Sequence, residues 1–307
     1  MSIPAIIESS CPACSSSQKK ALRSNLTDVE AHIPGRYGIA QCLDCRFIYL
    51  SPRPSASSLK DCYPDTYYTL LTAKRSSLSQ KLYLLRYKFR RRRIQKAYHG
   101  IPSSLLEIGY GDGAFLAHLK TKWGKQCQLA GIDFKPPENR QHLDGIDLME
   151  GNFLQFQFKT LYDVIVMYDV MEHLPNPLET LQHVHQFLKP GGLLVMQVPN
   201  WNSLGRILFP KHWSGLQIPR HQSFLTRKSF EKMIAKTDSK LKQFNPIFDP
   251  GDFSVSLCNW FSDFFKLRTL PRQAWFFIPA TIIFSPVVFL QSIFFRNSGE
   301  MEIVVQK

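Results

Sequence analysis

Acidic residues are scarce in this 307-residue chain, which has 24 Asp and Glu against 38 Lys and Arg and a formal net charge of +14. This imbalance indicates an acidic partner, such as nucleic acid, an anionic lipid or a phosphorylated substrate. The N-terminus lacks both a basic start and a long apolar run, so a secretory signal is not expected. An apolar content of 44% still allows a substantial core, arranged as one large domain or two small ones.

Cysteines are also few, but four of the seven form two pairs, Cys11-x-x-Cys14 and Cys42-x-x-Cys45. Two such pairs, here 27 residues apart, are typical of a tetrahedral site for structural Zn2+. The alternatives are two disulfides or four unlinked thiols, and a reducing cytosol disfavours the disulfides. We therefore predict a zinc-knuckle segment over residues 1–75.

A basic helix is predicted over residues 76–100, because Leu78, Leu82, Leu85 and Phe89 recur at helical spacing. Four consecutive arginines, at positions 90–93, follow near its end. They indicate a solvated face, an anionic membrane surface or a nucleic-acid contact. Since no nucleic-acid module accompanies them, lipid is favoured over nucleic acid.

A strand, a tight glycine turn and the start of a helix are predicted over residues 105–116. Gly109, Gly111 and Gly113 stand at alternate positions, where glycine lets the backbone turn sharply and approach a ligand. The helix start that follows offers free N–H groups. Asp133 ends the next predicted strand, 20 residues after Gly113. An acid at that place binds ribose hydroxyls in nucleotide-binding βαβ units.

The pattern Glu107-x-Gly109-x-Gly111-x-Gly113 resembles the first motif of class I S-adenosylmethionine (SAM)-dependent methyltransferases of the small-molecule type. In NAD-binding folds the usual spacing is Gly-x-Gly-x-x-Gly, which differs. The resemblance covers roughly residues 100–250. It implies SAM as cofactor, with the turn after the third strand contacting the adenine. The cofactor-binding residues that it implies are Glu107, Gly109, Gly111, Gly113, Asp133, Asn152, Phe153 and Tyr168.

Strands that alternate with helices predict an α/β fold with a doubly wound, Rossmann-like sheet over residues 101–307. The predicted strands are 105–108, 129–133, one ending at Glu150, 163–168, 193–198 and 241–247, and the later helices are 178–188 and 226–236. The run at 163–168 is apolar throughout after Asp163, as a parallel sheet covered on both faces requires. Ligands of such sheets bind at the carboxyl ends of the strands.

The segment 168–175 lies at that edge and resembles the motif after strand four of small-molecule methyltransferases, including the ubiquinone-type O-methyltransferases. An oxygen nucleophile needs a base, and His173 is the first candidate. Its alternatives are a structural histidine closing the cofactor pocket, or a divalent-metal ligand together with Asp169 and Glu172, since ubiquinone-type relatives carry a similar cluster.

The next segment, 199–224, is too long for a simple connection and is predicted to be a functional lid. Within it, Arg220 and His221 are candidates to touch the acceptor, although the same residues also fit a packed turn. His173 and His221 are therefore the predicted catalytic residues.

Residues 274–295 carry no charge and are long enough to cross a bilayer once. The chain then ends in a segment, 299–307, that resembles the last strand of the methyltransferase sheet, which lies antiparallel beside strand five. Both flanks would lie on the same side of the membrane, which excludes a single crossing. Within an insertion spanning 251–299 we therefore predict a re-entrant or interfacial hairpin, bent near Pro279 or Pro286.

Four residues flank this apolar segment as an interface-seated hairpin would require, namely Arg268, Arg272, Trp275 and Arg296. The alternative is an internal helix pair that covers the sheet or forms a dimer contact.

These features predict a SAM-dependent methyltransferase at the cytoplasmic face of a membrane, acting on a small-molecule, glycan or lipid-linked acceptor. The alternatives are a noncatalytic membrane or scaffold protein with the SAM fold, and a nucleic-acid-modifying methyltransferase. The absence of an Asn/Asp-Pro-Pro-Tyr/Phe motif after strand four argues against N-methylation of bases. The acceptor atom, O, N or C, is left open.

Overall fold

The computed structural model describes residues 4–63, 77–135, 137, 139–267, 276–295 and 297–307. Its strands are β1 (Ile6–Ile7), β2 (Lys19–Leu26), β3 (Tyr37–Cys42), β4 (Ile48–Leu50), β5 (Arg53–Pro54), β6 (Ser104–Ile108), β7 (Gln128–Asp133), β8 (Asp147–Glu150), β9 (Tyr162–Tyr168), β10 (Leu188–Pro199), β11 (Ser223–Phe224), β12 (Lys240–Ile247) and β13 (Glu300–Gln306). The α-helices are α1 (Ser77–Tyr98), α2 (Ala114–Trp123), α3 (Pro177–Phe187), α4 (Leu204–Leu208), α5 (Arg227–Ile234), α6 (Gly251–Phe264) and α7 (Phe277–Leu290). Short 3-10 helices include Ala56–Cys62, Phe153–Gln155 and Met171–His173.

A seven-stranded sheet forms the centre of the molecule, in the order β12-β13-β10-β9-β6-β7-β8. Strands β6 to β10 are parallel, whereas β13 pairs antiparallel with β10 on one side and with β12 on the other. Apolar side chains cover both faces, with one cluster against α3 and α5 and the other against α1 and α2. The predicted doubly wound fold is confirmed, and so is the antiparallel last strand beside strand five.

The carboxyl ends of β6, β7 and β9 meet at one edge of this sheet. The break in strand order lies there, because β6 is followed by β7 on one side and by β9 on the other. A crevice at such a break is where doubly wound sheets bind their ligands. The glycine turn follows β6, Asp133 ends β7, and Tyr168 ends β9.

A second sheet, in the order β11-β4-β3-β2, joins the N-terminal segment to the rest of the chain. Strand β11 comes from the end of residues 200–224, which we call the lid segment, and pairs antiparallel with β4. The cysteine knuckles also rest on α5, where Lys236 Nζ donates to the Ala13 carbonyl at 3.1 Å and Lys232 Nζ donates to the Asp44 carbonyl at 3.0 Å. The N-terminal segment therefore covers the lid side of the sheet edge. The predicted boundary at residue 75 stays a prediction.

The apolar insertion forms a helical hairpin, but not the one predicted. Helices α6 and α7 are its two arms, and α7 runs without a break through Pro286. Pro279 stands in the first turn of α7, where a backbone N–H has no intrahelical partner to lose. The predicted bend at either proline is therefore wrong. Ser285 Oγ donates to the Thr281 carbonyl beside Pro286. The flanking residues Arg268, Arg272, Trp275 and Arg296 lie outside the described residues.

Candidate active site

The glycine turn after β6 forms the floor of the candidate site. Gly109, Gly111 and Gly113 have φ values of 74°, 56° and 71°, a region that side chains other than glycine rarely adopt. A Cβ on Gly111 would meet no atom within 4 Å, so open space lies above the middle of the turn. By contrast, a Cβ on Gly109 would come within 2.5 Å of Val170. The turn therefore leaves room for a ligand against bare backbone at Gly111.

Asp133 lies directly beside this turn. Its Oδ2 accepts a hydrogen bond from the Gly111 N–H at 2.8 Å, and its Oδ1 accepts one from the Lys135 N–H at 3.1 Å. Burial raises the pKa of the carboxyl, and the backbone donors oppose the rise. The remaining lone pairs of a carboxylate at the end of β7 can accept hydrogen bonds from a ribose diol.

Glu107 is buried within β6, and its Oε2 has no hydrogen-bond partner among the described residues. Burial raises the pKa of this carboxyl to about 8, and the charge of Arg90 opposes the rise. A buried carboxyl oxygen without a partner is costly in a folded protein, so such groups are commonly explained by a ligand. Glu107 and the open space at Gly111 together fit a polar cofactor with a cationic group.

Asn152 and Phe153 follow β8, where the resemblance implies adenine contacts. The Asn152 side chain caps the 3-10 helix Phe153–Gln155 by accepting from the Leu154 N–H at 3.1 Å. Phe153 is buried in the core, and its ring lies 5.9 Å from that of His183. The Asn152 oxygen is thus engaged by the backbone, and the Phe153 ring belongs to the core. Their cofactor contact stays a prediction.

Tyr168 ends β9 as a buried side chain, with its ring edge-on to Phe115 at 5.4 Å between centroids. The guanidinium of Arg90 lies 3.9 Å above this ring. Such stacking is favourable when the cation is desolvated. Tyr168 thus anchors α1 to the end of β9, and its assignment to the cofactor also stays a prediction.

Helix α1 supplies two cations to the sheet edge. Asp169 Oδ2 accepts from Arg86 at 3.0 Å and from Arg90 at 3.2 Å. Burial would raise the pKa of Asp169, but the two guanidinium groups outweigh it and lower the pKa below its usual value. The backbone of Asp169 has φ = 60°, an unusual conformation for a residue other than glycine, which fixed contacts must maintain.

For two residues of the arginine run, Arg90 and Arg93, these contacts correct the interpretation as a surface for lipid or nucleic acid. Arg90 is buried, and Arg93 pairs with the buried Glu302 at 2.6 Å. The sequence could have indicated this, because Arg86, Arg90 and Arg93 share one face of a helix at spacings of four and three.

His173 lies in the 3-10 helix Met171–His173, which follows β9. Its Nδ1 is 3.1 Å from the hydroxyl of Tyr63, and its ring also bonds to the backbone carbonyl of Arg220. Burial and the charge of Arg220 lower the pKa of His173 to about 4. The imidazole is therefore neutral at neutral pH. Tyr63, which comes from the N-terminal segment, was not predicted from the sequence.

His221 is brought to the same place by the lid segment, with its ring 4.6 Å from that of His173 and nearly perpendicular to it. Its Nδ1 bonds to the Gly215 carbonyl at 2.9 Å, which directs Nε2 toward Glu172 Oε1 at 4.0 Å. Burial lowers the pKa of His221 well below its ordinary value and raises that of Glu172 well above its own. The two predicted catalytic histidines thus lie side by side.

The possible metal ligands that lie together are not the predicted set of Asp169, Glu172 and His173. Ligand atoms of Glu172, His173 and His221 lie within 4.8 Å of one another, whereas Asp169 is held by Arg86 and Arg90. Both nitrogens of His173 are already engaged, so the trio fits hydrogen bonding better than metal binding.

The four paired cysteines come together as predicted. Cys11 Sγ lies 3.5 Å from Cys45 Sγ, Cys14 Sγ lies 3.5 Å from Cys42 Sγ, and all four sulfurs lie within 4.8 Å of one another. A tetrahedron of thiolates around Zn2+ has sulfurs about 3.8 Å apart, given Zn–S bonds of about 2.3 Å. All four are free cysteines, so the disulfide alternative is not what the structure has.

Comparison with known proteins identifies similar sequences. The profile of a family described as "Methyltransferase domain" matches residues 80–242, which is more than half of the chain. Trans-aconitate 2-methyltransferase of Rhodopseudomonas palustris (strain BisA53) is 29% identical over 111 residues, covering 35% of this chain and 43% of that protein. Ubiquinone biosynthesis O-methyltransferase of Rickettsia felis is 19% identical over 179 residues, covering 54% of this chain and 73% of that protein.

Among solved structures, the StiE O-MT domain is 14% identical, with a TM-score of 0.49 over 78% of this chain and 80% of that one. The chain spans about two fifths of the length of the trans-aconitate relative that it matches.

Proposed function

Because the chain belongs to the methyltransferase domain family, we propose that it transfers a methyl group from SAM to a small-molecule acceptor. One observation carries the proposal above all. The crevice at the break in strand order combines open space over Gly111 with a buried, unpartnered Glu107 oxygen and with Asp133 beside it. These groups suit a cofactor with a ribose, which Asp133 can bind, and a cationic amino-acid group, which a carboxyl oxygen of Glu107 can bind.

Different residues would bind the different chemical groups of SAM. Asp133 would accept the ribose hydroxyls, and the backbone at Gly109, Gly111 and Gly113 would pack against the cofactor. Glu107 would accept from its ammonium group, for which a buried carboxylate is the natural partner. When bound, SAM supplies a methyl group on a sulfonium that is already a good leaving group.

The protein's own task is then to position the acceptor and to receive its proton. His221 bonds through Nδ1 to the Gly215 carbonyl, so its Nε2 can accept a hydrogen bond from an acceptor hydroxyl or amine, with the neutral His173 ring beside it. Tyr63 fixes the orientation of the His173 ring through its hydroxyl. Because His221 belongs to the lid segment, the acceptor site is closed by residues distant in sequence from the cofactor site.

We further propose that the acceptor is a glycan or lipid-linked molecule at the cytoplasmic face of a membrane. The apolar hairpin adjoins the lid segment, where Trp213 Nε1 and Ser214 Oγ both donate to Asp252 Oδ1 of α6, at 2.9 and 2.7 Å. The segment that carries His221 is therefore held directly by the hairpin, which supports an acceptor site beside it.

A structural Zn2+ at Cys11, Cys14, Cys42 and Cys45 completes the proposal. Four thiolates leave no open position on the metal, so its role would be to hold the N-terminal segment over the lid rather than to take part in the reaction.

The test is to incubate the purified full chain with SAM carrying a deuterated methyl group and with two extracts of its host cells, one of membrane lipids and one of soluble metabolites. Mass spectrometry should find labelled product, enriched in the lipid extract. The Asp133→Ala variant should form at least about tenfold less labelled product than the wild type, because it loses charge-assisted hydrogen bonds to the ribose.

Labelled product in the soluble extract alone would support the methyltransferase activity but refute the proposal that the acceptor is lipid-linked. Absence of labelled product from both extracts would favour the noncatalytic scaffold.

A further inference from the structure

Helix α6 has its polarity reversed relative to an ordinary surface helix. The side chains that it buries against the body are mostly polar, and they are Asp252, Ser254, Ser256, Asn259 and Ser262. Its exposed side chains include two large aromatic ones, Trp260 and Phe264, and the exposed Phe265 follows directly after the helix. A surface helix in water normally shows the opposite arrangement. The outward face of α6 is therefore suited to an apolar environment and not to water.

Helix α7 continues the same surface. Ile282, Ile283 and, in the π-helical turn after α7, Phe294 are 68%, 69% and 72% exposed. Within the described ranges, 277–294 is apolar and long enough to cross a membrane by composition and length, yet only 17% of it is buried. Contiguous exposed apolar surface of this extent marks an interaction site. Phe253 of α6 stacks on Phe284 at 5.5 Å, which joins the two arms into one surface.

The connections of the hairpin exclude a span of the membrane. It leaves β12 after Ile247 and returns to β13 at Glu300, and these two residues are paired across adjacent strands. Both ends thus lie at one edge of the sheet. Helix α6 has 14 residues and is about 21 Å long, which is shorter than a bilayer core of about 30 Å. The geometry fits shallow insertion along the interface.

Positive charge surrounds the apolar surface in the sequence. Residues 266–273, between the two arms, contain Lys266, Arg268 and Arg272 and no acidic residue. Arg296 follows the second arm, and the chain as a whole carries +14. Basic residues beside an interfacial apolar helix favour anionic lipid headgroups.

We propose that the outward surface of α6 and α7 docks on an anionic lipid bilayer, into which it inserts its aromatic and aliphatic side chains without crossing. This deepens the proposed methyltransferase function and rests on it only for the nature of the acceptor. The inward polar face of α6 connects the docked surface to the acceptor site. Asn259 Nδ2 donates to Glu30 Oε1 at 3.0 Å, and Arg220 donates to Glu30 Oε2 at 3.3 Å, next to His221.

The experiment is vesicle sedimentation of the purified full chain, with vesicles of phosphatidylcholine alone and of equal parts phosphatidylcholine and phosphatidylglycerol. The wild type should sediment with the anionic vesicles. The double variant Ile282→Asp with Ile283→Asp should partition at least about tenfold less, because two exposed aliphatic side chains that would insert into the bilayer are replaced by charges. The matched control is Leu161→Asp, an exposed apolar position at the opposite, amino edge of the sheet, which should bind as the wild type does.

Binding of S-adenosylhomocysteine, measured by calorimetry on the same samples, separates this proposal from the methyltransferase proposal. Lost vesicle binding with intact cofactor binding in the double variant supports docking and shows that the variant is folded. If the double variant does not fold, Phe294→Asp replaces it, since that exposed side chain contributes little packing. Wild-type protein that stays in the supernatant, or variants that bind vesicles normally, would overturn the docking. A wild-type dimer that the substitutions convert to a monomer would assign the surface to a second copy of the chain instead.

Discussion

At the scale of single residues, His173 is kept neutral by its surroundings. Burial and the neighbouring Arg220 lower the pKa of His173 to about 4, from an unfolded value near 6.5. A group whose pKa is lower in the folded state contributes stability that is present above its unfolded pKa. That contribution is lost as the pH falls from about 6.5 toward 4, because the unfolded chain takes up a proton that the folded chain refuses.

We therefore expect the free energy of unfolding of the wild type to fall by about 1–3 kcal/mol between pH 7 and pH 5 through this group. Urea unfolding at both pH values measures the change. His173→Asn should show a smaller fall, whereas His99→Asn, at an exposed position in a left-handed turn, should keep the wild-type fall. Equal falls in all three proteins would refute a neutral, buried His173.

Site features that are formed by one turn or one strand could be predicted from the sequence, because all their residues are close together in the chain. The glycine turn and Asp133 belong to this class, and both were placed correctly beside each other. Arg86, Arg90 and Tyr63 were missed because their partners are 79 to 110 positions away in the chain. Only the packing of α1 and of the N-terminal segment on the sheet edge brings them there.

At the scale of elements, the N-terminal segment has little core of its own. Its sheet of short strands depends on the pairing of β4 with β11 and on the contacts of the knuckles with α5. Small segments of this kind commonly rely on a metal for stability. Loss of the metal should therefore loosen the contact of the segment with the lid.

Elemental analysis of the purified chain should find one zinc per molecule. Cys42→Ser should lose it, with a fall in Tm of about 5–10 °C, because binding of the metal is coupled to folding of the segment. Cys127→Ser, at a buried thiol outside the cluster, should retain one zinc. A well-folded, metal-free wild type would reject the site.

The hairpin shows where element prediction failed. The antiparallel last strand predicts a hairpin but not its two arms, because the uncharged run 274–295 contains only the second arm, α7. The first arm, α6, carries buried polar residues, and these hide its exposed aromatic side from a search for apolar runs. Proline commonly bends or ends a helix, but Pro279 stands in the first turn of α7, where a helix tolerates it.

At the scale of the whole molecule, four parts of the chain meet at one edge of the sheet. Helix α1 brings Arg86 and Arg90, the N-terminal segment brings Tyr63, the lid brings His221, and the hairpin holds the lid through Asp252. The doubly wound α/β class was predictable, because apolar runs alternate with helices along the chain, and so was the place of the last strand beside strand five. The pairing of β11, from the lid segment, with the N-terminal sheet was not predictable, since a strand of two residues has no periodicity to detect.

The central claim is that the crevice at the carboxyl ends of β6, β7 and β9 binds SAM, and calorimetry with S-adenosylhomocysteine tests it most directly. The wild type and Asp147→Ala, at the amino end of the neighbouring strand β8, should bind it equally. Asp133→Ala should bind at least about tenfold more weakly, through loss of its hydrogen bonds to the ribose. A wild type that binds no S-adenosylhomocysteine, or an Asp133→Ala variant that binds it as tightly as the wild type, would contradict the claim.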